Sequence, residues 1–151
     1  MTQAYASMLG RLCRLANVPA AEQPEVVARQ AMLIDGLPTR FQLEEWSGFV
    51  KIYMEVGRPA PATLPALCQT ILEQQLMLPA PFAMLAALDA ASGSLLLYGC
   101  APLPVTAEDD MAFLAFLQGC ADAALLLRDA LDEAGAQSAT LALQAWLSPH
   151  S

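Results

Sequence analysis

Two hydrophobic periodicities alternate along the chain and predict its secondary structure. Residues 4–16 carry apolar side chains at helical spacing, with Arg11 and Arg14 on the other side, which predicts a short amphipathic helix. Residues 25–30 fit either a helical turn or extended chain. From residue 31 to residue 57 the period changes to two, and turn residues divide this stretch into three strands. Three strands in succession predict an antiparallel meander.

The second half of the chain predicts another helix and then a hairpin. Thr63 and Pro65 suit the start of this helix, whose apolar stripe is wider than the cover of one sheet requires. The stretch from Phe82 to Leu103 predicts a hairpin that is apolar at both odd and even positions. A sheet with one face in water normally alternates apolar and polar residues. We therefore expect both faces of this hairpin to be covered, one by the helices of the chain and the other by a partner chain.

The last helix is predicted to begin near Thr106 and to end at Gly135, which suits a helix C-terminus. The apolar residues 136–151 are then expected to form a partly ordered or docked tail. The element order is helix, three strands, helix, two strands, helix. It predicts an α+β domain over residues 1–135, in which helices pack one twisted antiparallel sheet. The two-sided apolar hairpin and the wide apolar stripe of the second helix predict that the subunits form a dimer.

Composition and charge exclude several classes of function. The 151 residues make one domain, and the 56% hydrophobic content and mean hydropathy of +0.43 are high for a soluble chain. The longest uncharged run, residues 90–107, is broken by prolines and glycines, so we expect no membrane insertion. Seven basic residues are scattered among fifteen acidic ones, and the net charge of -8 argues against nucleic-acid binding. The N-terminus has no signal-peptide pattern, so we expect a cytoplasmic protein.

No residue pattern predicts a catalytic, metal or cofactor site. The four cysteines are far apart in apolar stretches, which predicts buried, reduced thiols, and the only histidine is His150. Glu44 and Glu45 are neighbours in a predicted strand and point to opposite faces, while Asp109 and Asp110 suit a helix N-terminus. We therefore expect a protein that is not an enzyme and needs no cofactor.

The order of these elements resembles the class I type III secretion chaperones, the Tir-chaperone-like family. The similarity extends from about Tyr5 to Glu133 and rests on pattern and order more than on a fixed motif. Four stretches carry it: the strand pair at Ile34-Asp35-Gly36 and Phe41-Gln42-Leu43, the strand from Val50 to Gly57, the strand from Ser94 to Tyr98, and the helix entry Pro104-Val105-Thr106.

The resemblance implies a small acidic homodimer in the bacterial cytoplasm. Such a chaperone binds the N-terminal chaperone-binding region of a secreted effector and keeps it soluble and export-competent, without catalysis. The implied partner is therefore an effector with a role in virulence, and the secretion ATPase is a further candidate partner. The alternative is a regulatory or ligand-sensing domain of the same general fold.

The resemblance also implies two sets of contact residues. The client chain is expected to lie along the first helix and the exposed sheet surface, at Met8, Leu12, Leu33, Ile34, Phe41 and Leu43. The dimer seam is expected to pair the second helix and the last hairpin of each subunit, at Leu67, Ile71, Leu72, Gln75, Leu95 and Leu97. Trp46, at a predicted reversal, fits a partly exposed packing residue or a client contact.

Overall fold

Helices and strands follow one another in the order that the periodicity predicts. The computed structural model describes residues 1–75 and 83–147, with the backbone alone for residues 74, 83 and 136–147. The helices are α1 (Gln3–Leu15), α2 (Gln23–Arg29), α3 (Leu64–Gln75) and α4 (Ala107–Leu147), and a 3-10 turn, Pro61–Thr63, precedes α3. The strands are β1 (Ala31–Ile34), β2 (Leu37–Glu44), β3 (Phe49–Gly57), β4 (Ala83–Leu88) and β5 (Leu95–Pro102). The α+β class is confirmed, and the undecided segment falls largely in α2.

The five strands form one antiparallel sheet in the order β1-β2-β3-β5-β4. The first hairpin turns through Asp35 and Gly36, whose φ angles of 50° and 78° are the left-handed values that a two-residue turn requires. In the β4–β5 turn, the Gly93 N–H donates to the Asp89 carbonyl at 2.7 Å, and the Ser92 hydroxyl donates to the Asp89 carboxylate at 2.6 Å. Both the predicted meander and the predicted hairpin are confirmed.

One face of the sheet is buried and the other is only partly covered. Along β3 and β5 every second side chain is buried, and these are Val50, Ile52, Met54, Val56, Leu95, Leu97 and Ala101, with Gly99 between the last two. The residues between them face the other way and stay partly exposed. We call that side the open face; its members include Leu33, Arg40, Gln42, Lys51, Tyr53, Glu55, Leu96 and Tyr98.

Helix α4 covers the buried face by packing on β3 and β5. Its core side chains include Phe113, Phe116, Leu117, Cys120, Ala124 and Leu127. Met111, in the first turn of α4, lies outside this stripe and is 60% exposed. Phe113 and Phe116, one turn apart, both lie in the core.

Helix α4 also continues beyond its predicted end. It passes through Gly135 and reaches Leu147, so the predicted stop at Gly135 is wrong. Gly135 does not take the left-handed φ that commonly ends a helix; among the described glycines, that φ occurs at Gly36, Gly48 and Gly93. The boundary between a domain and a tail at residue 135 stays a prediction, and residues 148–151 lie outside the described chain.

Two arginines connect elements that are distant in sequence. The Arg11 guanidinium on α1 donates to both carboxylate oxygens of Asp110 at 2.7 and 3.0 Å, and to the Pro104 carbonyl at 3.1 Å. These hydrogen bonds raise the pKa of Arg11 and fix α1 beside the start of α4. Further along α4, Arg128 donates from Nε to the Val56 carbonyl at 3.0 Å, at the end of β3.

The absence of a side chain at Gly99 allows α4 to approach β5 closely. A Cβ at this position meets Cys120 Sγ at 3.0 Å and Phe116 Cζ at 3.2 Å. Both neighbours are buried in the core, with 0% and 2% exposure, so neither has free space to move into. The position therefore requires glycine for packing rather than for backbone freedom.

We expect Gly99→Ala to lower the free energy of unfolding by about 1–3 kcal/mol, the usual cost of overpacking a core. Gly119→Ala is the matched control, since a Cβ there meets nothing within 4 Å and alanine favours a helix by about 0.5–1 kcal/mol. Urea denaturation at one fixed protein concentration measures both changes. Equal effects of the two substitutions are incompatible with close packing at Gly99.

Candidate protein-binding surfaces

Five of the six side chains predicted to contact a client lie on the buried side of the sheet. Met8 and Leu12 on α1 are buried beneath that helix, in the same hydrophobic core as Ile34 and Phe41 of the sheet. Leu43 is partly buried and packs against the same core. Leu33 stands apart from them. It lies on the open face and is 68% exposed. The structure thus brings five of these residues together in the core and separates Leu33, and client contact by all six stays a prediction.

The residues predicted for the dimer seam also divide into buried and exposed positions. Leu67, Ile71, Leu95 and Leu97 are buried within the single subunit, where they belong to its core. Leu72 instead projects from α3 and is 67% exposed. Gln75 is partly buried, and its Oε1 accepts a hydrogen bond from the Ala86 N–H of β4 at 2.7 Å. The seam itself stays a prediction.

A shallow apolar cleft lies between α3 and β4. Its volume is about 210 Å³, and most of its lining is apolar, including Leu64, Leu67, Ile71, Leu72, Leu88 and Leu95. Leu72 and Leu88 belong to this lining and are exposed to solvent in the single subunit. Cys68 also lines the cleft and is exposed, so the prediction that all four cysteines are buried is wrong at this position. Cys13 and Cys120 are buried, and Cys100 is only partly buried. Cys68 faces outward because α3 directs Leu67 and Ile71 towards the core.

The open face combines aromatic, apolar and charged side chains. The rings of Tyr53 and Tyr98 lie 5.4 Å apart across β3 and β5, and the Arg40 guanidinium lies 5.7 Å from the centre of the Tyr53 ring. Lys51 Nζ pairs with Glu44 Oε1 at 2.7 Å. That pair, with a hydrogen bond from Ser47, lowers the pKa of Glu44, so its carboxylate serves the surface network.

Two adjoining clefts open on this face. Their volumes are about 580 and 500 Å³, and both are lined by Arg29, Arg40, Tyr53, Asp89 and Leu96. The two-residue period of the sequence over residues 31–57 did not indicate a concave site on this face. A cleft assembled from α2, four strands and a turn has no signal in a single stretch of sequence.

Exposed apolar residues outside these sites include positions in turns and on α4. Trp46, in the β2–β3 turn, is 86% exposed, which removes it from the core. Val105 precedes α4 and is also exposed. Its position in a predicted turn was the sequence feature that indicated exposure of Trp46. The side chain is more exposed than the partial exposure that the sequence predicted.

Two solved structures share this architecture. A chain of the ExsC-ExsE complex gives a TM-score of 0.61 at 14% identity, covering 87% of this chain and 96% of that one. A chain of the HopA1-SchA chaperone-effector complex gives a TM-score of 0.57 at 13% identity, covering 83% of this chain and 94% of that one. The chain has the fold of these two proteins. No protein-family model matches the sequence, and no curated protein matches it.

This common fold covers nearly the whole of the compared chains and confirms the secretion-chaperone-like architecture that the sequence predicts. At such low identity the likeness concerns the fold alone. Among the described residues, helix α4 includes a stretch within Ala107–Gly135 that is long and apolar enough to cross a membrane, with a mean hydropathy of 1.5. That stretch is 44% buried in the fold, and the core helices of soluble proteins can be equally long and apolar, so it is weak evidence for a membrane-spanning helix.

Burial and helix capping shift the pKa values of several titratable groups among the described residues. Burial raises the pKa of Tyr5 and of Cys120 to about 12, so neither is an ionised nucleophile at neutral pH. No group of three potential metal ligands occurs among the described residues. Asp109 instead caps α4: its carboxylate accepts from the Thr106 N–H at 3.1 Å, and its own N–H donates to the Thr106 hydroxyl at 3.1 Å.

The cap makes a prediction about pH, because these hydrogen bonds lower the pKa of Asp109 from its ordinary value of 3.8. A carboxylate whose folded-state pKa is lowered stabilises the fold above its unfolded pKa, and the stabilisation is lost as the pH falls through the folded value. We expect Asp109→Asn to unfold at lower urea concentration than the wild type at neutral pH, with the difference disappearing well below pH 3.8. Glu108→Gln, which removes a charge but no capping bond, is the control. A difference that persists in acid contradicts the charge-assisted cap.

Proposed function

We propose that this protein is a type III secretion chaperone that binds the N-terminal segment of an effector and keeps it soluble and export-competent. The observation that carries the proposal is the common fold, which spans 83% of this chain and 94% of a chain from a chaperone–effector complex. The acidic charge and the lack of catalytic patterns in the sequence also support a binding protein that is not an enzyme.

Exposed apolar residues outside a complete core support a role in binding unfolded chain. Leu33 and Leu85 remain accessible outside the core of the subunit. Burying a leucine side chain is worth about 1.5–3 kcal/mol, so a client that covers both gains affinity without adopting its own fold. In this mechanism the client stays extended, and release needs no chemical step in the chaperone.

The proposal includes a cytoplasmic homodimer that uses the cleft between α3 and β4. Leu72 and Leu88 border this cleft and leave apolar surface that a symmetric second copy covers. The secretion ATPase is the proposed recipient of the complex. The buried positions Leu67, Ile71, Leu95 and Leu97 then support the seam from behind, because they hold α3 and the hairpin in place.

The chaperone proposal is tested by co-expressing the chain with each protein encoded beside its gene and purifying the complexes. We expect one neighbour to bind in a ratio of one molecule to two chaperone chains. Limited proteolysis followed by mass spectrometry should show protection of the N-terminal segment of that neighbour. If its folded C-terminal part is bound, or if no neighbour binds at micromolar concentration, the proposed function is refuted.

For the dimer, we expect Leu72→Lys to raise the dissociation constant at least about a hundredfold, because symmetry removes the buried side chain twice. Leu126→Lys on α4 is the matched control, since Leu126 is 60% exposed and Leu72 is 67% exposed. Analytical ultracentrifugation measures both, and the rate of Cys68 alkylation provides a second readout because Cys68 lines the same cleft. A wild-type protein that sediments as one subunit, or equal effects of the two variants, contradicts this interface.

A further inference from the structure

We propose that the open-face clefts bind a peptide segment that carries carboxylates beside an apolar side chain. The site is defined by Arg40 and Arg58 together with Leu33 and Leu96. The inference rests on the proposed function only for the origin of the peptide, the client, and its chemistry is argued from the cleft.

Basic residues are rare in this chain, yet they converge here. Of the seven in the sequence, Arg29, Arg40 and Arg58 all line the cleft of about 500 Å³. The whole chain carries a net charge of -8, so a random surface region is expected to be acidic. A local concentration of arginine in an acidic protein favours an anionic ligand at this place.

Arg40 lies over an aromatic side chain and shares the cleft with Asp89. Hydrogen bonds from Ser92 and Ala91 lower the pKa of Asp89, and the charge of Arg40 makes a smaller contribution. The Arg40 guanidinium lies 5.7 Å from the centre of the Tyr53 ring, and Tyr53 is itself placed by Tyr98 and by the Gln42 side chain, which accepts from its hydroxyl at 3.4 Å. Stacking of this kind leaves the planar N–H donors directed outward. Within the described ranges, neither Arg40 nor Arg58 has a hydrogen-bonded acid, and the guanidinium fork suits a carboxylate.

The acidic residues around the cleft are already engaged. Asp89 accepts from the Ser92 hydroxyl at 2.6 Å and from the Ala91 N–H at 3.1 Å, and Glu55 accepts from the Ser94 hydroxyl at 3.2 Å. Of the three arginines, Arg29 is paired with Glu25 at 2.8 Å. Two guanidinium groups therefore remain for a ligand, while the two carboxylates restrict an anionic ligand to the space near the arginines.

The apolar part of the cleft selects a peptide over a simple anion. Leu33 is 68% exposed on β1, and Leu96 is partly exposed on β5, so both offer contact area that a free phosphate does not use. Volumes of about 580 and 500 Å³ are in the range of sites that enclose several side chains. A nucleic acid is disfavoured because its continuous phosphate chain meets Asp89 and Glu55 beside the arginines.

The test uses a fluorescein-labelled peptide of about ten residues in which aspartate and leucine alternate at every second position, with serine between them, because side chains two residues apart in an extended chain lie on the same face. Two matched peptides replace each aspartate by asparagine or by lysine. Fluorescence anisotropy on the intact protein is expected to show binding of the aspartate peptide and about tenfold weaker binding of the asparagine peptide. Higher salt should weaken only the first.

Variants then locate the site. We expect Arg40→Gln and Arg58→Gln each to raise the dissociation constant of the aspartate peptide about tenfold. Arg40→Lys should raise it less, because lysine keeps the positive charge but lacks the guanidinium fork. Arg14→Gln removes the same charge from an exposed position on α1 and should leave binding unchanged. Circular dichroism confirms that each variant is folded.

Several results overturn the inference. Equal binding of the aspartate and asparagine peptides, equal effects of Arg40→Gln and Arg14→Gln, or displacement of the peptide by a single-stranded oligonucleotide each refute it. The chaperone proposal fails separately, in the co-expression experiment. If an effector is protected but the peptide does not bind, only the proposed peptide site is refuted. If the peptide binds but no effector does, only the proposed chaperone function is refuted.

Discussion

The close packing of α4 on the sheet is the contact on which the rest of the structure depends. It requires Gly99, where the backbone of β5 meets Cys120 and Phe116 without an intervening side chain. Because α4 covers β3 and β5 on one face, with α1 and α3 contributing to the same core, the alternating side chains of these strands have fixed directions. The other face is left to a concave, partly polar surface. Burial on one side therefore determines which residues are available on the other.

Much of the fold could be predicted because its elements are short and their periodicities are distinct. The alternation along β3 and the glycine turn at Gly36 each specify local structure with little influence from distant residues. The end of α4 could not be predicted in this way. Gly135 marks a helix stop only when it adopts a left-handed conformation, and an apolar helical continuation after it supplies no reason to do so.

The surfaces were harder to predict than the elements, for a physical reason. An apolar residue on a helix or strand has the same signature whether its own core or a partner buries it, so Met8 and Leu33 look alike in sequence. Only the three-dimensional arrangement separates them, and it places Met8 inside and Leu33 outside. Likewise Arg29, Arg40 and Arg58 are scattered along the chain, and the sheet brings them to one cleft.

The hydrogen bond from the Ala86 N–H to the Gln75 side chain has a consequence for how the sheet ends. Strand β4 is an outermost strand, and unpaired main-chain groups there invite the addition of foreign strands and, ultimately, aggregation. The side-chain oxygen of Gln75 on α3 accepts the Ala86 N–H in the middle of this edge strand. A strand from another molecule must displace the Gln75 side chain before it can pair along this edge. This one glutamine therefore opposes the addition of further strands to β4.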